Sequence, residues 1–375
     1  MASGFSFGFS GDDIDIDETE INNIDENNVQ ETNPASNLPE LIKAQKHEMS
    51  EWLSTLPSQI SYNKCTIAPS PSQGEGGKGK ALTVARRDVF DIRAQLMVED
   101  SAEEQNGELI AGLEKGDITP KFYEGGFKTW ECSIDLAGLA AAGEGVGVEV
   151  EGGHVVELGA GTAVPSLALF VQLLSQSDTE TSAEKKRTHF TFADYNSAVL
   201  RLVTLPNILL TWHHFVTDQK PTDTQADGED QAEEKDEAEL DITPDLLDSF
   251  QQDLAHRGIS LNFISGAWSP SFVDLVLSSP EVASLRMLVL ASETIYSPAS
   301  LGAFSKTLLA LLSRSSGDSQ ALIAAKKVYF GVGGGVDEFL SVLREISVSG
   351  LVVEERVDIK TEGVGRIILE IRFNQ

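Results

Sequence analysis

The run His154-Val155-Val156-Glu157-Leu158-Gly159-Ala160-Gly161-Thr162-Ala163-Val164-Pro165 constrains this chain more than any other stretch. A β-branched segment ends in an acid, passes through Gly-x-Gly and hands over to an apolar helical pattern. Glycine reaches positive φ without a steric penalty and leaves no Cβ in the way, so the backbone here is built to come close to something. The first N–H groups of the following helix lack intrahelical partners and face whatever is bound. A strand, turn and helix of this kind belong to the first strand of an open α/β sheet.

The periodicity downstream agrees. Strands are expected at 154–158, 189–193, 261–264, 287–291 and 320–329, and helices at 130–142, 163–174, 197–213, 271–277, 299–312 and 337–346. Alternation of this kind implies a parallel, doubly wound sheet with right-handed crossovers. The end differs: 351–360 and 364–373 are two alternating strands around Thr361-Glu362-Gly363, which is a hairpin. An antiparallel hairpin closing such a sheet is the arrangement of seven-stranded methyltransferases. Upstream, 41–53 reads as a helix and 67–79 as a Pro/Ser/Gly loop, while 86–98 fits strand and helix equally well. Phe122-Tyr123-Glu124-Gly125-Gly126 reads as a turn. The expected organisation is an acidic disordered tail at 1–40, an accessory region at 41–117, and a main domain at 118–375 with an acidic disordered insertion at about 216–248.

Charge is placed very unevenly. Residues 1–40 hold ten acids and no Lys or Arg, and 216–248 hold thirteen acids against Lys220 and Lys235, so these segments carry −10 and −11 of the net −31. Such composition solvates a chain rather than building a core. It disfavours direct nucleic-acid binding, which needs Lys and Arg to displace counterions, and it suits a basic protein partner. Phe5-Ser6-Phe7-Gly8-Phe9 is an aromatic element within the tail. Cys65 and Cys132 are the only cysteines and lack metal or disulfide spacing. The N-terminus lacks a basic segment followed by an apolar core, so no signal peptide is expected. No run of 18 apolar residues suggests a membrane span. An intracellular, soluble protein is expected. Lys185-Lys186-Arg187 is too short to read as an import signal.

Two ligand classes use a Gly-x-Gly turn at the first strand: dinucleotides and S-adenosylmethionine. The dinucleotide fingerprint asks for a third glycine where Val164 stands. Glu157 favours S-adenosylmethionine, whose methionine amino group an acid at this place can anchor; the alternative is a strand-end acid satisfied by turn amides. Asp194, at the tip of the second strand within Ala193-Asp194-Tyr195-Asn196, can accept ribose hydroxyls or cap the next helix, and Asn196 can cap it equally well. Trp268, in Ser265-Gly266-Ala267-Trp268, can line a base or sit in the core. Glu293 and Tyr296 follow the fourth strand at the carboxyl edge, where open α/β sheets place their ligands. Gly331 to Gly335 lack the Lys-Ser/Thr of a phosphate loop and read as a rim over the acceptor or as a plain tight turn.

The set Lys128-Thr129-Trp130-Glu131-Cys132, Glu157-x-Gly159-x-Gly161, Ala193-Asp194-Tyr195-Asn196, Thr204-Leu205-Pro206-Asn207, Ser265-Gly266-Ala267-Trp268, Ser292-Glu293-Thr294-Ile295-Tyr296 and 329–336 resembles the eukaryotic protein-histidine methyltransferase family over roughly residues 118–373. The opening Phe-Ser-Phe-Gly-Phe before an Asp-rich run resembles its fungal members. Glu-x-x-Tyr alone marks a wider group that includes lysine methyltransferases; Thr-Leu-Pro-Asn and Gly-Val-Gly-Gly-Gly-Val narrow it to the histidine branch. The resemblance implies a seven-stranded, Rossmann-like α/β fold with S-adenosyl-L-methionine as cofactor. It implies a histidine of ribosomal protein L-three as substrate, in cytoplasm or nucleus, and a monomeric enzyme. Trp130, Glu131, Cys132, Ser133, Glu157, Gly159, Gly161, Ala193, Asp194, Tyr195, Asn196, Gly266, Ala267, Trp268 and Ser292 would line the cofactor, with Trp130 facing the sulfonium. Glu293 and Tyr296 would orient the target imidazole. Two departures stand out. Ala163 replaces a third glycine, so the turn must close around a methyl group, and Ala267 replaces an expected acid. The competing readings are a lysine methyltransferase of the same group and a non-catalytic chaperone or assembly factor for a basic ribosomal protein.

Overall fold

The computed structural model describes residues 42–70, 81–99, 125–142, 150–177, 186–218, 237–315, 318–330, 333–346, 349–360 and 363–374. The expected tail at 1–40, most of the Pro/Ser/Gly loop, Phe122 to Glu124, 219–236 of the insertion and Gly331-Val332 lie outside them. Eleven strands are described: β1 (Gln45–His47), β2 (Gln59–Ile67), β3 (Leu82–Arg87), β4 (His154–Leu158), β5 (Thr188–Asp194), β6 (Glu237–Asp241), β7 (Ile259–Ser265), β8 (Met287–Ser292), β9 (Gln320–Lys326), β10 (Leu351–Ile359) and β11 (Arg366–Phe373).

The main sheet runs β1-β7-β5-β4-β8-β9-β11-β10. The five strands β7, β5, β4, β8 and β9 are parallel, and the hairpin β10–β11 is antiparallel, with β11 inserted beside β9. Strand order reverses between β4 and β8, which makes their carboxyl ends the switch point where such sheets bind ligands. Alternate residues of the central strands enter opposite cores, as a period of two requires. Val155, Leu288 and Leu290 join the helices Glu131–Ala141, Val164–Ser177, Leu205–Asp218 and Pro244–Arg257. Val156, Leu158, Val289 and Ala291 join the helices Pro270–Val276, Pro298–Arg314 and Val336–Ile346.

Two expectations need correction. The helix expected at 41–53 is instead strand β1 followed by the short helix Met49–Leu53. Strand β7 would otherwise leave an unpaired edge, and β1 covers it antiparallel through Gln45↔Ser265 and His47↔Phe263. Gly266 permits this: at its φ of +107, a Cβ would stand 2.5 Å from Lys43 O. His47 then bonds Ser265 Oγ at 2.7 Å and stacks on Trp52. Edge pairing outweighed local helix preference. The sheet therefore has eight strands: the expected seven and this added edge.

The insertion is also shorter than expected. Strand β6 and the helix Pro244–Arg257 fall within or begin within 216–248. Thr243 caps that helix by accepting Leu246 N–H, and Pro244 occupies its first turn. β6 pairs with β2, and β2 with β3, in a second sheet of order β3-β2-β6. Ile60, Tyr62, Ala85 and Leu240 of this sheet pack on Leu210. The undecided stretch 86–98 resolves into the end of β3 and the helix Val89–Glu99.

Candidate active site

The glycine turn after β4 is held through its main-chain groups, which bond both to neighbouring backbone and to three side chains. Gly159 and Gly161 adopt φ of +68 and +51. A Cβ on Gly159 would meet Thr294 Cγ2 at 2.7 Å, and one on Gly161 would stand 3.2 Å from Gly126 O. Ala160 N–H donates to Ala193 O, and Gly161 N–H donates to Asp194 Oδ2 at 3.1 Å. The turn does close around the Ala163 methyl, at a φ of 58°.

The Thr-Leu-Pro-Asn motif explains itself here. Thr204 Oγ1 donates to Gly161 O at 2.6 Å and Asn207 Nδ2 to Thr162 O at 3.0 Å, so two buried side chains fix the turn from behind. Pro206 has no N–H for Leu202 O, and the chain widens to a π turn over Leu200–Thr204. Arg87 Nη1 supplies the missing donor to Leu202 O at 3.0 Å, while Arg87 N–H donates to Asn207 Oδ1 at 2.7 Å. Strand β3 of the accessory region thereby braces the cofactor turn.

Glu157 is buried. Its Oε2 accepts Ser166 N–H, in the first turn of the helix Val164–Ser177, at 3.1 Å. Its Oε1 has no hydrogen-bond partner among the described residues. Burial pushes this carboxyl up to about 8, against the smaller downward pull of the Ser166 bonds. Turn amides thus satisfy one oxygen only, and the other fits a ligand ammonium.

Asp194 bridges two loops, accepting Gly161 N–H on Oδ2 and Asn196 N–H on Oδ1. The helix cap is Asn196, whose Oδ1 accepts Ala198 N–H, so Asp194 stands at the strand tip with its carboxylate fixed in place. Register carries the other predicted residues to one edge: Leu158 lies beside Ala193 and Ala291, Asp194 beside Ser265, and Ser292 beside Ala324. Gly266 N–H donates to the carbonyls of Asp194 and Tyr195. The Ala267 N–H is taken by Ile42 O at 2.9 Å, so it is not offered to a base. Trp268 packs edge-on against Phe272 and Phe304 as part of the core beneath.

The other half of the site is made of side chains. Glu293 has a φ of +55, which costs a non-glycine residue about 1–2 kcal/mol. Ala163 is the other non-glycine residue with positive φ among the described residues, so both strained positions lie at this site. Glu293 N–H is held by Ala324 O at 3.0 Å. Its Oε1 accepts no hydrogen bond among the described residues and lies 3.8 Å from Lys326 Nζ. The Cys132 thiol and the Tyr329 hydroxyl both hydrogen-bond to Glu293; burial first, and then the Glu293 charge, raises both, so they stay protonated. The Tyr296 ring lies 6.3 Å from that of Tyr329.

Trp130, with extended backbone, is the N-cap of the helix Glu131–Ala141, and Ser133 is buried in its first turn. Trp130 Nε1 donates to Gly125 O, and the cation beside its ring is Lys326, with Nζ 5.5 Å from the centroid. Lys326 is 3.4 Å from Glu131 Oε2. Gly334 has no room for a side chain, since its Cβ would stand 2.1 Å from Tyr296 O. Gly333 N–H bonds Tyr329 O, and Tyr329 N–H bonds Gly334 O. The described part of the glycine block is therefore a tight turn pressed on Tyr296. Sequence reasoning singles out neither Lys326 nor the Asp135–Arg366 pair beside it, because no local pattern marks them. No group of metal-ligating side chains occurs among the described residues, and no helix there is long and apolar enough to cross a membrane.

The strand order, the glycine turn, the half-satisfied Glu157 and the fixed Asp194 together define an S-adenosylmethionine-dependent methyltransferase of Rossmann-like fold. Comparison with known proteins narrows this. Histidine protein methyltransferase 1 of Saccharomyces cerevisiae is 36% identical over 266 residues, covering 69% of this chain and 68% of its own. Its Schizosaccharomyces pombe counterpart is 33% identical over 371 residues, covering 98% and 93%. The Bos taurus homolog is 32% identical over 257 residues, covering 68% and 57%. The chain belongs to the histidine protein methyltransferase 1 family. It is a protein-histidine N-methyltransferase. No family model matches the chain. Among solved structures, TrmN from Thermus thermophilus aligns over 64% of this chain and 49% of its own at 10% identity and a TM-score of 0.33.

Proposed function

We propose that this enzyme methylates one ring nitrogen of a histidine in a basic ribosomal protein, the large-subunit protein L-three, and that Glu293 and Tyr296 orient that imidazole. The observation that carries the reading is the placement of Glu293. Its strained backbone places at the tip of β8 a buried carboxylate oxygen with no hydrogen-bond partner among the described residues, and the next residue, Thr294, packs on Gly159 of the cofactor turn.

Glu157 would hold the cofactor's amino group, Asp194 its ribose hydroxyls, and the glycine turn would let its backbone approach. S-adenosylmethionine supplies the electrophilic methyl group. The protein's task is then orientation. A histidine with a pKa near ~6.5 is mostly neutral at cytoplasmic pH and already nucleophilic. Glu293 accepts the N–H of one ring nitrogen, which fixes the tautomer, aims the lone pair of the other, and takes up the positive charge that develops. Positioning of this kind supplies up to roughly 7–11 kcal/mol. Cys132 and Tyr329, kept protonated, hold the carboxylate in place.

The acidic segments 1–40 and 216–248 complement a basic substrate and would speed its association, with a steep salt dependence. We place the reaction where newly made ribosomal proteins are found, in the cytoplasm or nucleus. The test is incubation of the enzyme and labelled S-adenosylmethionine with purified L-three protein, followed by acid hydrolysis and amino-acid analysis. Label in methylhistidine is expected. Label absent from L-three, with methylhistidine appearing on another protein of a lysate, would overturn the substrate assignment.

A further inference from the structure

Lys326 occupies the place where a second cation would have to sit. It closes β9, with its N–H bonded to the Tyr329 hydroxyl at 3.2 Å and its backbone in register with Arg366 of β11. Its ammonium lies 3.4 Å from Glu131 Oε2, 3.8 Å from Glu293 Oε1 and 5.5 Å from the centre of the Trp130 ring. Two carboxylates and an aromatic face are the surroundings that attract a lysine side chain. Here the chain fills them with a lysine of its own. The neighbouring Arg366 adds to the effect: it is paired with Asp135 and reaches 4.0 Å from Glu131.

We propose that Lys326 is a specificity-determining residue: held between Glu131 and Glu293, its ammonium admits a neutral imidazole and excludes the ammonium of an acceptor lysine. The proposal rests on the reading of Glu293 as the group that orients the acceptor. An incoming lysine would have to expel Lys326 from both carboxylates or lie against its like charge. A neutral imidazole meets neither cost, and a like charge held beside the buried Glu293 carboxylate is a means of rejecting a wrong partner. The histidine branch and its lysine-modifying relatives would then differ by a charge that the enzyme carries itself, with the same strand-tip acid serving both.

The experiment uses the full-length enzyme and two acceptors: the substrate protein, and the same protein with its target histidine replaced by lysine. Wild type, Lys326→Met, Lys326→Gln and Lys326→Arg are compared by kcat/KM on each, with S-adenosylhomocysteine affinity as the check that the cofactor site is intact. The ratio of histidine to lysine methylation is expected to fall at least about tenfold in Lys326→Met or Lys326→Gln and to be kept in Lys326→Arg, which restores the charge. A merely structural role would lower both rates together and leave the ratio unchanged. An unchanged ratio in both neutral variants, with cofactor affinity intact, overturns the proposal. Glu293→Gln is run alongside. Full activity of that variant would overturn the reading of Glu293 itself, and so separates that failure from a failure of Lys326 alone.

Discussion

The two halves of the site are built by different means. Around the cofactor turn the contacts run through backbone: Gly159 and Gly161 supply conformation, Ala160 and Gly161 supply amides, and Asp194, Thr204 and Asn207 hold main-chain groups in place. Around the acceptor the work falls to side chains, with Glu131, Glu293, Lys326 and Tyr329 arranged by charge and burial. In the proposed reading, the half held through main-chain groups takes the cofactor, with the Glu157 and Asp194 carboxylates added. A side-chain site can be retuned by single substitutions, and in the same reading it chooses the acceptor. Changes in one half should therefore leave the other half's function standing.

The largest expected effect is in the acceptor half. Glu293→Gln keeps the size and burial but loses the charge, and turnover should fall by about 10²–10³, the range for a lost electrostatic contact to the transition state. Next comes the cofactor half. Asn207→Ala strands Arg87 N–H and Thr162 O, two buried backbone groups, at about 1–3 kcal/mol each. Chemical denaturation should show a loss of that order, together with weaker cofactor binding. Loss of stability without loss of cofactor affinity would break the link between this motif and the turn.

Glu157→Gln gives a smaller effect with a definite sign. The folded protein holds Glu157 protonated up to about 8, whereas the unfolded chain ionises it at its ordinary, lower value. Wild-type stability without cofactor should therefore decline as pH rises from that ordinary value toward 8, and the glutamine variant should not share this decline. Binding of the cofactor's ammonium favours the ionised form, so S-adenosylhomocysteine affinity should climb with pH toward 8, by up to about tenfold per unit. In the variant that climb should vanish. A wild-type affinity flat between pH 6 and 8 would remove Glu157 from the role of amino-group anchor. The smallest effect belongs to Ala163→Gly. Relief of about 1–2 kcal/mol of left-handed strain is set against the loss of a buried methyl worth about 0.8 kcal/mol and glycine's extra backbone entropy of about 0.5–1 kcal/mol, so stability should move by less than about 1 kcal/mol.

The same division decides what could be read from the chain before its structure. The residues that the proposal gives to the cofactor stood out because they form local patterns: Glu157, Gly159 and Gly161 fall within five residues, and Asp194 closes the next strand. The sheet followed from alternating strands and helices, and the terminal hairpin from period-two patterning. Of the residues that the proposal gives to the acceptor, only Glu293 and Tyr296 were singled out from the sequence, through a resemblance. Lys326 ends β9 and Glu131 opens the helix Glu131–Ala141, and the packing of that helix on β9 brings them together across a separation that no window of sequence contains. The edge strand β1 was missed for a related reason. Its residues have no strong strand preference of their own, and they pair because β7 leaves an edge and Gly266 leaves space. The start of the helix Pro244–Arg257 was hidden in an acidic run, although Thr243 and Pro244 carried the capping signal.

The most direct test of the two-half account is one pair of measurements on Glu293→Gln and Glu157→Gln at pH 8: calorimetric S-adenosylhomocysteine affinity, and single-turnover methylation of the histidine acceptor at saturating cofactor. The account predicts that Glu293→Gln binds as wild type does but fails to transfer, and that Glu157→Gln binds about tenfold more weakly but transfers at close to the wild-type rate once saturated. Loss of affinity in Glu293→Gln, or full transfer by it, would contradict the division of labour between the tips of β4 and β8.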